Sequence, residues 1–469
     1  MESAARRARA AGRVLACTSP ACRHRALQAI HDALTSRSEE ILSANAVDVA
    51  AAVSAGNAPA LVSRLKLDAA KLAGVIAGVS QVMALAEPLG LVSLARELSP
   101  GLELRRRSTP LGVICVIFEA RPEAVVQIAC LTIKSGNALL LKGGKEAAAS
   151  NAILGEIVRG ALAAAAAAGG GVPEDAVQLL STREEVAELL RMDELIDLVI
   201  PRGSNALVRS VKAATRIPVL GHADGVCHVY VDAVADLARA CAVVVDSKTQ
   251  YPAACNAAEC LLVAEAALRT HLPALARALL AAGVTLVCDG ATAGIARVAR
   301  AELLAEQLGA GGEGEPPLPL VEDAVDLDFT TEWLSLRMGV RVVADCAAAA
   351  AYINAHGSHH TDAIVTEDAA AAALFLAQVD SAGVFHNAST RFADGHRYGF
   401  GAEVGVSTNR IHARGPVGLE GLLTYKYVLT STASSGHTVA QFAAAGANAV
   451  TVSGQQLPAL SFTHQTLEG

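Results

Sequence analysis

The chain has 469 residues, 52% apolar and 18% charged, which is enough for more than one sizeable core and excludes intrinsic disorder. Its formal net charge of −8 argues against a surface that coats nucleic acid, while leaving room for a local basic pocket. Ten cysteines, none in a C-x-x-C pair, form neither a disulfide framework nor a zinc ribbon and read as reduced thiols of a cytoplasmic-type compartment.

Residues 1–95 read as helices. The start, Ala5-Arg-Arg-Ala-Arg-Ala-Ala-Gly-Arg13, has the basic, Ala-rich texture of a transit peptide. The apolar positions Val14, Leu15, Leu27, Ile30 and Leu34, continuing to Ile41, favour an amphipathic helical pair instead. Polar breaks fall near Thr35–Arg37 and Ala55–Pro59. Arg105-Arg-Arg107 is a cationic run ahead of a strand and reads as a solvated edge or a subunit contact. After Pro110 the strand-length runs Leu111–Phe118, Ala138–Leu141, Val177–Leu180, Leu195–Ile200 and His228–Val231 alternate with Ala-rich segments such as Ala147–Ala168. That alternation predicts a parallel sheet covered on both faces. A second set, Cys260–Ala264, Val284–Cys288, Val340–Ala344, Ala363–Thr366 and Gly383–His386, predicts a second α/β unit and a cleft between the two. Tyr427–Leu467 lacks acidic, lysine and arginine residues but is too polar to span a bilayer.

Two strand ends are suited to phosphates. Leu139-Leu-Leu-Lys142-Gly-Gly-Lys145-Glu146 ends a strand in a lysine and two glycines before a helix, so backbone can approach a ligand and both lysines can meet its oxygens. It lacks the spacing of a Walker loop, and a plain strand–turn–helix remains an alternative. In Leu198-Val-Ile-Pro-Arg-Gly203-Ser204-Asn205 a strand feeds a turn whose N–H groups can receive a pyrophosphate. Gly309-Ala-Gly-Gly-Glu-Gly314 matches G-x-G-x-x-G, but it follows no strand, opens no helix and runs into Glu315-Pro-Pro317, so it reads as a flexible loop.

The segment Lys248-Thr-Gln-Tyr-Pro-Ala-Ala-Cys255-Asn-Ala-Ala-Glu259 carries a thiol on a small, polar run that turns apolar afterwards. This layout places Cys255 at the start of a helix just before a buried strand, where helix N–H groups stabilise a thiolate and an oxyanion. Cys115, Cys130, Cys241, Cys260, Cys288 and Cys346 lie in apolar or alanine runs and read as inert. Cys17 and Cys22 lack supporting glycines, and Cys227 adjoins a strand. His356-Gly-Ser-His-His360 has only Asp362, at a strand start, as a further ligand type, and reads as a polar loop at the rim of a cleft, with no metal.

Several of these runs, with their neighbours, resemble one known family. They are Pro110-Leu-Gly-Val-Ile-Cys-Val-Ile-Phe-Glu-Ala-Arg121-Pro-Glu, Ser135-Gly-Asn-Ala-Leu-Leu-Leu-Lys142-Gly-Gly-Lys-Glu, Tyr251-Pro-Ala-Ala-Cys255-Asn, His356–Thr366, Asn387-Ala-Ser-Thr-Arg391-Phe, Gly401–Thr408 and His412–Gly421. Together they resemble the gamma-glutamyl phosphate reductase (glutamate-5-semialdehyde dehydrogenase) family of the aldehyde dehydrogenase superfamily, from about residue 5 to 430. The resemblance implies an α/β, aldehyde dehydrogenase-like fold: a cofactor-binding domain (1–98 and 112–230), a catalytic domain (231–408), a small oligomerisation element (99–111 and 409–430) and a C-terminal extension (431–469). It implies NADPH-dependent reduction of L-glutamyl 5-phosphate to L-glutamate 5-semialdehyde and phosphate, in L-proline biosynthesis. A homo-oligomer is expected, and lability of the acyl phosphate makes glutamate 5-kinase a natural partner. Cys255 falls on the nucleophile, and Lys142, Lys145, Gly203 and Ser204 on the cofactor site. Glu332 falls on a ribose-binding glutamate, and Arg121, Asn387 and Arg391 on the substrate.

Two departures bear on the chemistry. Oxidative relatives carry a water-activating glutamate, whereas the matching stretch here is Val219-Leu-Gly-His222-Ala-Asp-Gly, as suits an enzyme whose thioester must not hydrolyse. The superfamily's oxyanion asparagine is replaced near Arg121, a guanidinium suited to an anionic acyl phosphate. A non-phosphorylating aldehyde dehydrogenase and an inactive scaffold homologue are the competing readings. The tail Ser461-Phe-Thr-His-Gln-Thr-Leu467 resembles the end of the reductase half of eukaryotic pyrroline-5-carboxylate synthetases, so the chain either stands alone or forms part of a longer polypeptide.

Overall fold

The computed structural model describes all residues except 1, 170, 181–182, 223, 310–317, 434–435, 443–450, 453–454, 457–458 and 468–469. Five helices open the chain: α1 (Glu2–Cys17), α2 (Pro20–Ser36), α3 (Ser38–Ser54), α4 (Pro59–Leu65) and α5 (Ala69–Ala84). Leu15, Leu27, Ile30, Leu34 and Ile41 are fully buried, as the apolar spacing predicts, whereas Val14 is exposed. Ser19 and Asp68 cap α2 and α5 by accepting the N–H groups of Cys22 and Lys71.

Two strands follow, β1 (Val92–Ser99) and β2 (Leu102–Pro110), and then β3 (Val113–Phe118), α6 (Ala124–Lys134), β4 (Ala138–Gly143), α7 (Ala148–Ala167), β5 (Val177–Leu180), α8 (Arg183–Leu189), β6 (Leu198–Arg202) and α9 (Asn205–Ala214). β3 to β6 form a parallel sheet in the order β5-β4-β3-β6. Both faces of β3 are covered: Ile114, Val116 and Phe118 pack into the core under the N-terminal helices, and Val113, Cys115 and Ile117 into a second core beneath α1 and α9. A continuous apolar run is what two buried faces require.

The second unit contains β7 (Cys227–Val231), α10 (Leu237–Thr249), β8 (Ala258–Ala264), α11 (Leu272–Ala281), β9 (Thr285–Cys288), α12 (Gly290–Gly309), β10 (Val321–Asp323), β11 (Arg337–Val343), α13 (Cys346–His356), β12 (Thr361–Val365), α14 (Ala369–Gln378) and β13 (Gly383–His386). Its parallel sheet has the order β10-β9-β11-β8-β7-β12-β13 and a core of its own. The glycine loop expected over 309–317 lies outside the described residues beyond Gly309, where α12 ends.

A short pair, β14 (Val406–Ser407) and β15 (Gly415–Pro416), precedes β16 (Leu423–Ser431). β16 joins a small antiparallel sheet in the order β16-β2-β1, and Gln465–Thr466 of the tail adds to the outer edge of β1. Arg105–Arg107 precedes β3, as expected, and itself lies within β2. Its half-exposed positions carry no apolar run that would mark it as a strand in the sequence. Among the described residues no helix is long and apolar enough to cross a membrane.

Candidate active site

The first sheet runs outward from β3 to β5 and then returns to place β6 on the other side of β3. Order therefore reverses between β3 and β6, and ligands of parallel sheets bind outside the carboxyl ends at such a point. Arg202, Gly203 and Ser204 follow β6, and Glu119 to Arg121 follow β3. In the second unit Cys255 precedes β8, His222 precedes β7 and His360 precedes β12, so the thiol site uses the amino ends of that sheet.

Cys255 does not open a helix. α10 ends at Thr249 and the chain passes through successive turns, with Ala254 N–H donating to Tyr251 O (3.1 Å) and Ala257 N–H to Ala254 O (3.0 Å), before β8 begins. The expectation of a strand directly after the cysteine is met, but that of a helix N-terminus is not, because Pro252 and the small residues around it form a turn. The loop is pinned from three sides. The Cys227 thiol donates to the Cys255 carbonyl (3.3 Å), and Asn256 Nδ2 donates to Ala393 O (2.8 Å). A Cβ on Gly225 would lie 2.1 Å from that same carbonyl, so only glycine fits there.

Two imidazoles supply the electrostatics that a helix would have given. One ligand-type atom each from His222, Cys255 and His360 lies within 4.8 Å of the others, and the two rings meet edge to face with centroids 4.9 Å apart. Burial alone pushes the thiol up, but the charges of His360 and His222 outweigh it and hold Cys255 well below the ordinary thiol range. Burial opposes protonation of His222, but the Cys255 thiolate and the Val406 carbonyl, 3.0 Å from Nδ1, raise it to about 9. The other buried thiols move the opposite way: burial pushes Cys115 and Cys130 up to about 12, as their apolar runs lead one to expect.

The histidine cluster in the sequence separates in space. His356 packs on Tyr352 (4.5 Å) and His359 meets Asp380 O (2.7 Å), while His360 is fully buried beside the thiol. His360 is thus part of the site and not a rim residue. His222 was visible only as the replacement for a glutamate, and no local signal joins two histidines so distant in sequence.

A cavity of about 470 Å³ is lined by Arg121, Arg202, Glu123, Asp394 and Glu403, with Gly74 and Gly78 of α5 leaving room on one wall. The Arg121 side chain has no hydrogen-bond or ion-pair partner among the described residues. Arg202 is shielded from solvent, lies 3.7 Å from Glu403, and feels the charge of both Arg121 and Cys255. Glu123 bonds Lys71 (3.1 Å) through one oxygen and leaves Oε2 buried and unpartnered. Arg391 donates from Nε to Gln250 (2.9 Å), stands over the Tyr251 ring and also feels the Cys255 charge. Asn387 is differently engaged: its amide clasps both backbone groups of Thr366 at 3.0 Å.

Four of the expected cofactor residues lie at the carboxyl ends of β4 (Lys142, Lys145) and β6 (Gly203, Ser204). The Lys142 ammonium bonds the Gly143 carbonyl, and Lys145 is exposed on the following turn. A Cβ on Gly144 would displace the Glu146 carboxylate, and one on Gly203 the Glu119 carboxylate, so glycine lets both carboxylates rest against the turns. Glu119 accepts the Ser204 N–H at the start of α9 (2.8 Å), which shows that this helix end takes an anion. Glu332 stands apart, beside Gly225 and Cys255, where burial and the nearby thiolate push its carboxyl up.

A reactive thiol between two α/β units, with an anion-receiving turn across the cleft, defines an aldehyde dehydrogenase-type oxidoreductase. The aldehyde dehydrogenase family matches residues 1–291. The chain is 53% identical over 426 residues to a gamma-glutamyl phosphate reductase of Cyanothece sp., covering 91% of this chain and 92% of that one. It is 48% identical over 451 residues to gamma-glutamyl phosphate reductase 1 of Synechocystis sp., covering 96% and 97%. Among solved structures, the gamma-glutamyl phosphate reductase of Thermotoga maritima is similar with a TM-score of 0.81 and 36% identity, over 92% of this chain and 98% of that one. The chain belongs to the gamma-glutamyl phosphate reductase family.

Proposed function

We propose that the chain reduces L-glutamyl 5-phosphate to L-glutamate 5-semialdehyde with release of phosphate, a step of proline synthesis, and that Cys255 carries the acyl group. The observations that support this most directly are a cysteine sulfur gathered with two imidazoles and an arginine-lined cavity whose Arg202 feels the charge of that sulfur. The Cys255 sulfur attacks the acyl carbon, phosphate leaves, and a thioester remains. Arg121 and Arg202 meet the phosphate and neutralise the charge it carries away. Arg391 and the orphan oxygen of Glu123 suit the carboxylate and ammonium of the amino-acid end. Asn387 holds the turn that leads to Arg391.

The His222 imidazolium, in place of the general-base glutamate of oxidative relatives, holds a proton near the sulfur and does not deprotonate water. That favours reduction over hydrolysis and disfavours a non-phosphorylating dehydrogenase. Lys142, Lys145, Gly203 and Ser204 would hold NADPH, with Glu332 toward its ribose, and the bound cofactor would supply the hydride that reduces the thioester to aldehyde. The anion-receiving Ser204 N–H and the bare glycine turns fit such a group.

The same reading assigns residues 1–98 and 112–230 to cofactor binding, 231–408 to catalysis, and 99–111 and 409–430 to self-association. A cytoplasmic setting and hand-over from glutamate 5-kinase follow from the lability of the acyl phosphate. The reaction is tested in reverse, with semialdehyde, NADP and phosphate. Wild type forms NADPH and Cys255→Ser does not, and intact-mass analysis of enzyme quenched with glutamyl phosphate finds the adduct on Cys255. Equal rates, or an adduct elsewhere, removes the assignment.

A further inference from the structure

The donor set around the nucleophile has a property that the reaction does not use. His222, Cys255 and His360 bring two ring nitrogens and a sulfur within 4.8 Å of one another. A tetrahedral zinc ion has bonds of about 2.3 Å to sulfur and about 2.0–2.1 Å to nitrogen, which places its donors roughly 3.3–3.6 Å apart. Rotation of a few side-chain bonds covers the difference. Both rings are already oriented as metal-bound imidazoles are, through the nitrogen that would face away from the ion. His222 Nδ1 donates to the Val406 carbonyl (3.0 Å), and His360 Nδ1 is held by the Thr361 hydroxyl (2.9 Å). His360 Nε2 is fully enclosed and has no nitrogen or oxygen partner, so the Cys255 sulfur is the group it faces. An ion placed between that nitrogen and the sulfur would be held by both.

We propose that His222, Cys255 and His360 form a reversible site for a zinc-class divalent cation, which stops turnover by occupying the nucleophilic sulfur. Two nitrogens and a sulfur select a borderline or soft ion and disfavour magnesium and calcium. Three protein donors leave the fourth position to water. Coordination displaces protons from the ligands into solvent and changes no oxidation state. Zinc and acyl phosphate therefore compete for one sulfur.

The test uses the full chain, stripped with chelator, and Zn²⁺ followed by titration calorimetry. One ion binds per chain in wild type. Affinity falls more than about 100-fold both in Cys255→Ser and in wild type alkylated at Cys255, beyond the 10–100-fold that loss of an orienting partner costs. His360→Ala weakens binding by at least about tenfold. Co²⁺ in place of zinc gives thiolate charge-transfer absorption and tetrahedral visible bands, and the charge-transfer absorption is absent after alkylation. NADPH formation falls as zinc is added, with a midpoint that rises with semialdehyde concentration, and returns with chelator. The alkylated enzyme guards against a variant that fails to fold. Undiminished binding in both blocked forms, an octahedral cobalt spectrum, or no binding overturns the proposal. The binding arm is independent of the assigned reaction, so failure of one does not imply failure of the other.

Discussion

The thiol of Cys255 and the imidazole of His222 share a proton, so their pH behaviour belongs to the pair. Because Cys255 is depressed and His222 is raised to about 9, the thiolate–imidazolium form fills the interval between them. It is lost at low pH as the sulfur takes up a proton and at high pH as His222 gives one up. Alkylation of Cys255 by iodoacetamide should therefore inflect well below the ordinary thiol range, about 8.5, and His222→Ala should move the inflection upward. Turnover should fall above about pH 9, where His222 loses its proton. An unchanged inflection in the variant would show that the histidine does not set the thiol. Substrate recognition gives a second residue-scale prediction. Arg202→Met removes a shielded guanidinium and should raise KM for glutamyl phosphate by about 10–100-fold, the loss of one charged hydrogen bond. NADPH affinity should stay constant, and Arg202→Lys should recover part of the loss. Steady-state kinetics with each substrate varied separates these effects. Of this centre, the sequence exposed Cys255 through its small, polar surroundings. It concealed His360 and Arg202, whose roles come from strands that meet only in the folded sheets.

Between α10 and β8 a buried ion pair fixes the ground on which the site is built. Lys248 Nζ lies 2.5 Å from Glu259 Oε2, both side chains are essentially solvent-free, and Glu259 Oε1 accepts the Leu334 N–H (3.1 Å). Leu334 has φ 52, a conformation a leucine holds only where its surroundings impose it, and Glu332 stands two residues before it. The pair therefore positions the turn that presents Glu332 to the site. Burial pushes Glu259 up to about 7 although Lys248 opposes the shift. A carboxyl raised in this way favours the fold below its unfolded value, about 4.3, and that contribution is lost as pH rises through about 7. Lys248→Met should thus cost about 3–5 kcal/mol near pH 8 and less at pH 5, where Glu259 takes up a proton. Denaturant melts at the two values check this. The double variant Lys248→Met, Glu259→Met should recover most of the loss, and the remainder measures the Leu334 turn. At this scale the parallel strands were legible because two buried faces impose unbroken apolar runs, as in Val113–Phe118 and Cys260–Ala264. β2 and β16 were not, since Leu102–Pro110 is only half-buried and Leu423–Ser431 is largely solvated.

The whole molecule leaves one sheet unfinished. On one side of the antiparallel sheet the tail covers β1: Thr463 N–H donates to Leu98 O (2.8 Å) and Leu467 N–H to Ala95 O (3.1 Å). On the other side, among the described residues, β16 pairs only with β2, so one row of its backbone groups is open. Long exposed edges of this kind template pairing with another chain. Tyr425, Tyr427 and Leu429 are each more than half exposed and alternate along β16, which places them together on one face. Arg106 rests over the Tyr425 ring at 5.0 Å, so cation and aromatic already form a platform on that face. An edge with free hydrogen-bonding groups and an adjoining apolar face fits a second copy of the same strand, which would satisfy both at once and close with two-fold symmetry. Sedimentation equilibrium should therefore find a dimer or larger assembly. Leu429→Pro, which removes an N–H on the open edge and not one that bonds β2, and Tyr427→Asp, which charges the face, should each shift it toward monomer while the thiol of Cys255 keeps its alkylation rate. A wild-type monomer at micromolar concentration would place the function of this sheet elsewhere.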